Sequence, residues 1–84
     1  MAIKKEKVLK KLKLIFFEIF KNKKLKINFN SSANTIKNWD SLAQINIVLA
    51  TEKLFKVKFS VTEVSELKNV GEIIDLIIKK NGKI

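Results

Sequence analysis

The chain has 84 residues, 46% of them apolar, which suits one folded domain with a single core and leaves no room for a second. It contains neither Cys nor His, so disulfides are excluded and the main ligands of zinc and other transition metals are missing. The net charge is +10, from 18 lysines and no arginine against 8 acids.

That charge is uneven. Residues 1–40 carry eleven lysines against Glu6, Glu18 and Asp40, a net of +8, whereas residues 41–84 carry seven lysines against five acids, a net of +2. A basic face attracts nucleic acid or anionic lipid by counterion release. Lys, Asn and Ile are also the residues that an AT-biased coding sequence over-supplies. The absence of arginine, together with the lack of helix-turn-helix spacing, argues against a nucleic-acid partner. The apolar residues of the N-terminal segment are interrupted by Lys10, Lys11 and Lys13, and no small-residue cleavage site follows. No apolar run approaches the roughly 20 residues of a membrane span. The expectation is a monomeric cytoplasmic protein without a membrane span.

In chain order, residues 3–21 place Val8, Leu12, Ile15, Phe16, Ile19 and Phe20 at steps of three and four, which predicts an amphipathic helix with a lysine face. Leu9, Leu14 and Phe17 widen its apolar stripe enough for two neighbours. Residues 22–40 form a long loop rich in Asn and Ser, with Leu25, Ile27, Phe29 and Ile36 as its expected apolar anchors. Asp40 is a good N-cap for a second helix over 41–55, in which Leu42, Ile45, Val48, Leu49, Leu54 and Phe55 keep a helical period. Ser41 is then its first residue.

Ser60 and Glu63 have capping-box spacing and open a short helix over 61–67. Asn69 and Glu72 repeat that spacing before a final helix over 70–80, striped by Val70, Ile73, Ile74, Ile77 and Ile78. Lys79 and Lys80 suit its negative end and Asn81-Gly82 suits a stop. No segment alternates with the period of a strand. The predicted fold is all-α: one domain, residues 1–84, with three longer helices and a short third one.

Standard nucleophilic triads need His or Cys, so of the familiar pairings only Ser with Lys remains. Gly71 and Gly82 are the only glycines, too few for a phosphate-binding loop, and no carboxylates show metal-ligand spacing. An enzyme with its own active site is not expected.

Trp39-Asp40-Ser41-Leu42, Glu52-Lys53-Leu54-Phe55 and Val70-Gly71-Glu72-Ile73-Ile74-Asp75-Leu76-Ile77, in this order from Ile36 to Ile78, resemble the acyl carrier protein family. The resemblance implies a four-helix bundle of the acyl-carrier type. It implies that Ser41 is the attachment site of 4′-phosphopantetheine, transferred from coenzyme A, with Asp40 and Leu42 completing the attachment motif. Cargo would ride as a thioester on the arm, in a biosynthesis of fatty-acid or polyketide type. The implied partners are a phosphopantetheinyl transferase, an acyl-activating ligase or acyltransferase, and downstream biosynthetic enzymes.

In the family, Leu42 matches an apolar residue that meets partner enzymes. Trp39 is either a loop anchor packed on the bundle or an exposed partner contact. Leu49, Phe55, Val64, Leu67 and Ile74 either border a space for an acyl chain or simply form core. Well-known members carry a run of acids along the second helix, but here Ala43, Gln44, Asn46, Glu52 and Lys53 stand there, which points to a dedicated pathway. An aminoacyl carrier of the D-alanyl or peptidyl type is the alternative, and a carrier fold kept only for protein interaction is a further one.

Overall fold

The computed structural model describes residues 2–80. Four helices follow one another: α1 (Ala2–Phe20), α2 (Ser41–Phe55), α3 (Val61–Glu66) and α4 (Val70–Lys79). Among the described residues the only β-type pairing is an isolated antiparallel bridge between Ser32 and Asn69. The expected stop at Asn81-Gly82 lies outside the described residues.

α1 packs against both α2 and α4. It contributes Val8, Leu12, Ile15 and Phe16 to the core, which Ala43, Ile47 and Phe55 of α2, Val70, Ile73, Ile74 and Ile77 of α4, Ile27, Ile36 and Trp39 of the loop, and Val57 complete. Burial of this apolar surface is the main force holding the bundle. α3 has no buried residue; its Val64 is half-buried, and Leu67, the residue after the helix, packs against the core. It sits on the bundle as a clip: the Glu52 carboxylate accepts the Phe59 amide at 2.7 Å just before it, and Lys80 pairs with Glu63 at 2.9 Å.

Several apolar positions differ from expectation. Leu14 of α1 is 66% exposed, so the widened stripe does not reach it. In α2, Leu42, Ile45, Leu49 and Leu54 all face outward, and the buried side is Ala43, Ile47, Val48, Thr51 and Phe55. α2 is apolar around most of its circumference, so the period identifies a helix without fixing which side is inward. Contact with α1 decides it.

The long loop is tied down both by buried side chains and by its backbone. Ile27 and Ile36 are buried and Leu25 is half-buried, but Phe29 is exposed. Its carbonyl does the anchoring: the amides of Gly71 and Val70 donate to Phe29 O and Ser31 O at 2.8 and 2.9 Å. The third orphan amide at the start of α4, that of Glu72, donates to Asn69 Oδ1 at 2.8 Å. The loop thus satisfies donors that α4 cannot satisfy itself. Within the loop, Asn28 Oδ1 accepts the Asn30 amide and Ser31 Oγ accepts the Asn28 amide, local turns for which Asn and Ser are suited.

Candidate functional site

Ser41 is the first residue of α2 and is exposed. The turn that delivers it runs through Asn38, at φ 71°, a left-handed conformation that Asn tolerates better than most side chains. Asp40 then takes an extended conformation, and its Oδ1 accepts the Ala43 amide at 2.9 Å. The Gln44 amide donates to Asp40 O at 2.9 Å and begins the helical ladder. The amides of Ser41 and Leu42 precede that ladder, so this helix end keeps donors and partial positive charge beside the Ser41 hydroxyl.

Trp39 fixes the approach to this turn. It is buried, its ring meets Phe16 edge-on with centroids 5.2 Å apart, and its Nε1 donates to Gln44 Oε1 at 2.7 Å. Of the two readings of this residue, the loop anchor is the one observed. One indole therefore joins loop, α1 and the first turn of α2.

An open groove of about 640 Å³ lies between the loop, α2 and α3, with Ser41 among its lining residues. Its apolar lining includes Ile45, Val64 and Leu67, and its polar lining includes Ser32, Asn34, Ser65 and Lys68. Of the five residues read as candidates to border an acyl space, Val64 and Leu67 line this groove. Phe55 and Ile74 are fully buried core, and Leu49 is on the outer surface. Nothing local in the sequence marks Ser32 and Asn34 as groove residues, because long-range backbone pairing of their loop with the start of α4, including the bridge between Ser32 and Asn69, brings them to this place.

Leu42 is 68% exposed and lies beside Ser41, outside the groove. With Ile45 and Leu49 it forms an outward apolar stripe at spacings i, i+3 and i+7. α2 presents little charge around it: its one acid, Glu52, is engaged with the Phe59 amide. Among the described residues no group of Asp and Glu side chains is arranged to hold a metal ion, and no helix is long and apolar enough to cross a membrane.

The chain is similar to a holo acyl carrier protein from Geobacter metallireducens, known from a solution NMR structure. The two share 38% sequence identity over 88% of this chain and 85% of that chain, with a TM-score of 0.80. No family model matches the chain, and no curated protein matches it.

Proposed function

The chain belongs to the acyl carrier protein family, and from that premise we propose that Ser41 bears a 4′-phosphopantetheine arm and that the protein carries acyl groups to partner enzymes. The observation that supports this most strongly is the placement of Ser41: an exposed hydroxyl at the start of α2, steadied by the Asp40 cap and opening onto a groove. Members of this family are carriers and not catalysts.

The residues present fit the group. An attached phosphate would lie at a helix N-terminus, where unpaired amides and the helix dipole favour an anion. The groove is lined both by hydroxyl and amide side chains and by Ile45, Val64 and Leu67, a mixed lining suited to an arm with both amide and apolar parts. When bound, the arm supplies a thiol that holds cargo as a thioester, which is chemistry a chain without cysteine cannot supply.

The chain's own residues do the positioning. Asp40 holds the first turn, Trp39 and Gln44 lock the loop to it, and Leu42 marks the outer surface beside the attachment point for the modifying transferase and later enzymes. In this reading the partners are a phosphopantetheinyl transferase, an acyl-activating ligase or acyltransferase, and enzymes that use the cargo.

α2 is nearly uncharged, and its one carboxylate is occupied. Complementary charge governs encounter and discrimination, so enzymes that search for an acidic second helix gain little here. This supports a dedicated pathway, such as surface-glycan or secondary-metabolite acylation, over bulk fatty acid synthesis.

Incubation of the purified protein with coenzyme A and a broad-specificity phosphopantetheinyl transferase, followed by peptide mapping, tests the attachment site. The modification is expected on the peptide containing Ser41. Its appearance on another serine, or on none, contradicts the proposal.

A further inference from the structure

The outer face of α1 is unexplained by the carrier reading. Lys7, Lys10, Lys11 and Leu14 stand at i, i+3, i+4 and i+7, one continuous stripe, and Lys4 extends it by a turn. Lys4, Lys7 and Lys10 are exposed, Lys11 is half-buried with its ammonium 5.9 Å from the centre of the Phe55 ring, and Leu14, 66% exposed, ends the stripe. Lysines three and four apart on a helix repel one another. The carboxylates of α1 beside the stripe are Glu6, four residues before Lys10, and Glu18, four residues after Leu14, and neither closes an ion pair within the described residues. Among the described residues the ion pairs are Lys5 with Asp75, at 3.2 Å, and Lys80 with Glu63, so Lys4, Lys7 and Lys10 have no acid within pairing distance.

We propose that this face of α1 docks the protein on an anionic phospholipid bilayer. The occupant follows from the chemistry of the stripe. Lysine is a compact, mobile charge without the planar fork that reads a particular phosphate or base, and it suits a diffuse negative surface. The helix is rich in it while the whole chain has no arginine. Leu14 has no role on a face for nucleic acid, but it can enter the headgroup region while the flanking ammonium groups stay among the lipid phosphates. A single outward leucine on a convex helix gives an acidic protein little shape to recognise. The attraction does not involve Ser41, so it is independent of the arm and of the cargo.

Co-sedimentation with vesicles tests it. The unmodified full chain is expected to bind vesicles of phosphatidylglycerol mixed with phosphatidylcholine, to bind vesicles of phosphatidylcholine alone far more weakly, and to be released as salt rises. Replacing Lys4, Lys7 and Lys10 together by Gln is expected to weaken binding on the order of 100-fold. The same change at Lys37, Lys58 and Lys68 removes equal charge outside α1 and is expected to weaken it much less. Leu14→Asn keeps every charge and is expected to weaken binding several-fold, while Ser41→Ala leaves it unchanged. Circular dichroism on each variant confirms that the helices persist. Equal binding to both vesicle types, equal loss in the two triple variants, or tighter retention by duplex DNA than by anionic vesicles overturns the proposal.

Discussion

The indole Nε1 of Trp39 donates to Gln44 Oε1 at 2.7 Å, and this bond spans Ser41 on both sides in sequence. The ring that makes it is packed edge-on against Phe16, so the attachment turn is clamped to α1 through one side chain. Trp39→Phe keeps much of that packing and loses the bond, for an expected cost of about 1 kcal/mol. Trp39→Ala also opens a cavity and is expected to cost about 3–5 kcal/mol. Urea unfolding measures both. If the clamp orders the attachment turn, Trp39→Phe also slows modification of Ser41 by the transferase while the fold remains intact.

Gly71 sits where the loop crosses the start of α4. A Cβ added there would lie 2.9 Å from Phe29 O, the atom that already accepts the Gly71 amide. The neighbour is backbone, so it cannot rotate away, and relief requires the loop to lift from α4. Gly71→Ala gains helix propensity of up to about 1 kcal/mol. The clash is expected to outweigh it, with a net loss of about 1–2 kcal/mol. Faster hydrogen exchange at Val70 and at residue 71 would locate the effect, and a variant as stable as the parent contradicts it.

Stability should depend on the ionisation of Glu63. Its carboxyl is held below the usual range by the Ser60 backbone amide, which it accepts at 2.8 Å, and next by Lys80. A carboxylate with a depressed folded value contributes stability that is fully present above the ordinary glutamate value and is lost as pH falls through the folded one. The helix to loosen on acidification is α3, which has no buried residue of its own. Stability is expected to decline as pH drops below about 4.3, with a smaller decline in Glu63→Gln. An identical pH profile in the two proteins contradicts this assignment.

Recognition by partners should follow the near-neutral second helix. In a reconstituted fatty acid synthase that uses a housekeeping carrier, this protein is expected to support slower elongation, and acids placed at Gln44 and Asn46 are expected to raise the rate. Gln44 also holds Trp39, so Asn46→Asp alone is the cleaner variant. Elongation equal to that of the housekeeping carrier removes the argument for a dedicated pathway.

The all-helical order was legible because it rests on local signals. Asp40 and Ser60 mark helix starts through capping chemistry, and the Ile73, Ile74, Ile77 stripe of α4 has one apolar side and so only one way to face. The capping box at Ser60 is complete, with Glu63 Oε1 accepting the Ser60 amide. At Asn69 only half of it forms, because the Glu72 carboxylate takes the Lys68 amide instead.

What the sequence could not convey is non-local. The inward side of α2 is set by its contact with α1 and not by its own pattern, which is why Ile45 and Leu49 face solvent while Thr51 is buried. The loop holds to α4 through carbonyls, and a carbonyl is carried by every residue. For that reason the exposed side chain of Phe29 gives no hint of the anchor in its backbone. At the candidate site the motif residues were readable in line, but Ser32, Asn34 and Ser65 enter the groove only through the tertiary fold.

The central claim, that the Ser41 oxygen carries the prosthetic arm, is tested most directly by intact mass after co-expression with a broad-specificity phosphopantetheinyl transferase, for the parent and for Ser41→Ala. The account predicts a phosphopantetheine increment in the parent and none in the variant, with both proteins equally helical. An increment that survives the substitution, or a parent that never acquires one, contradicts it.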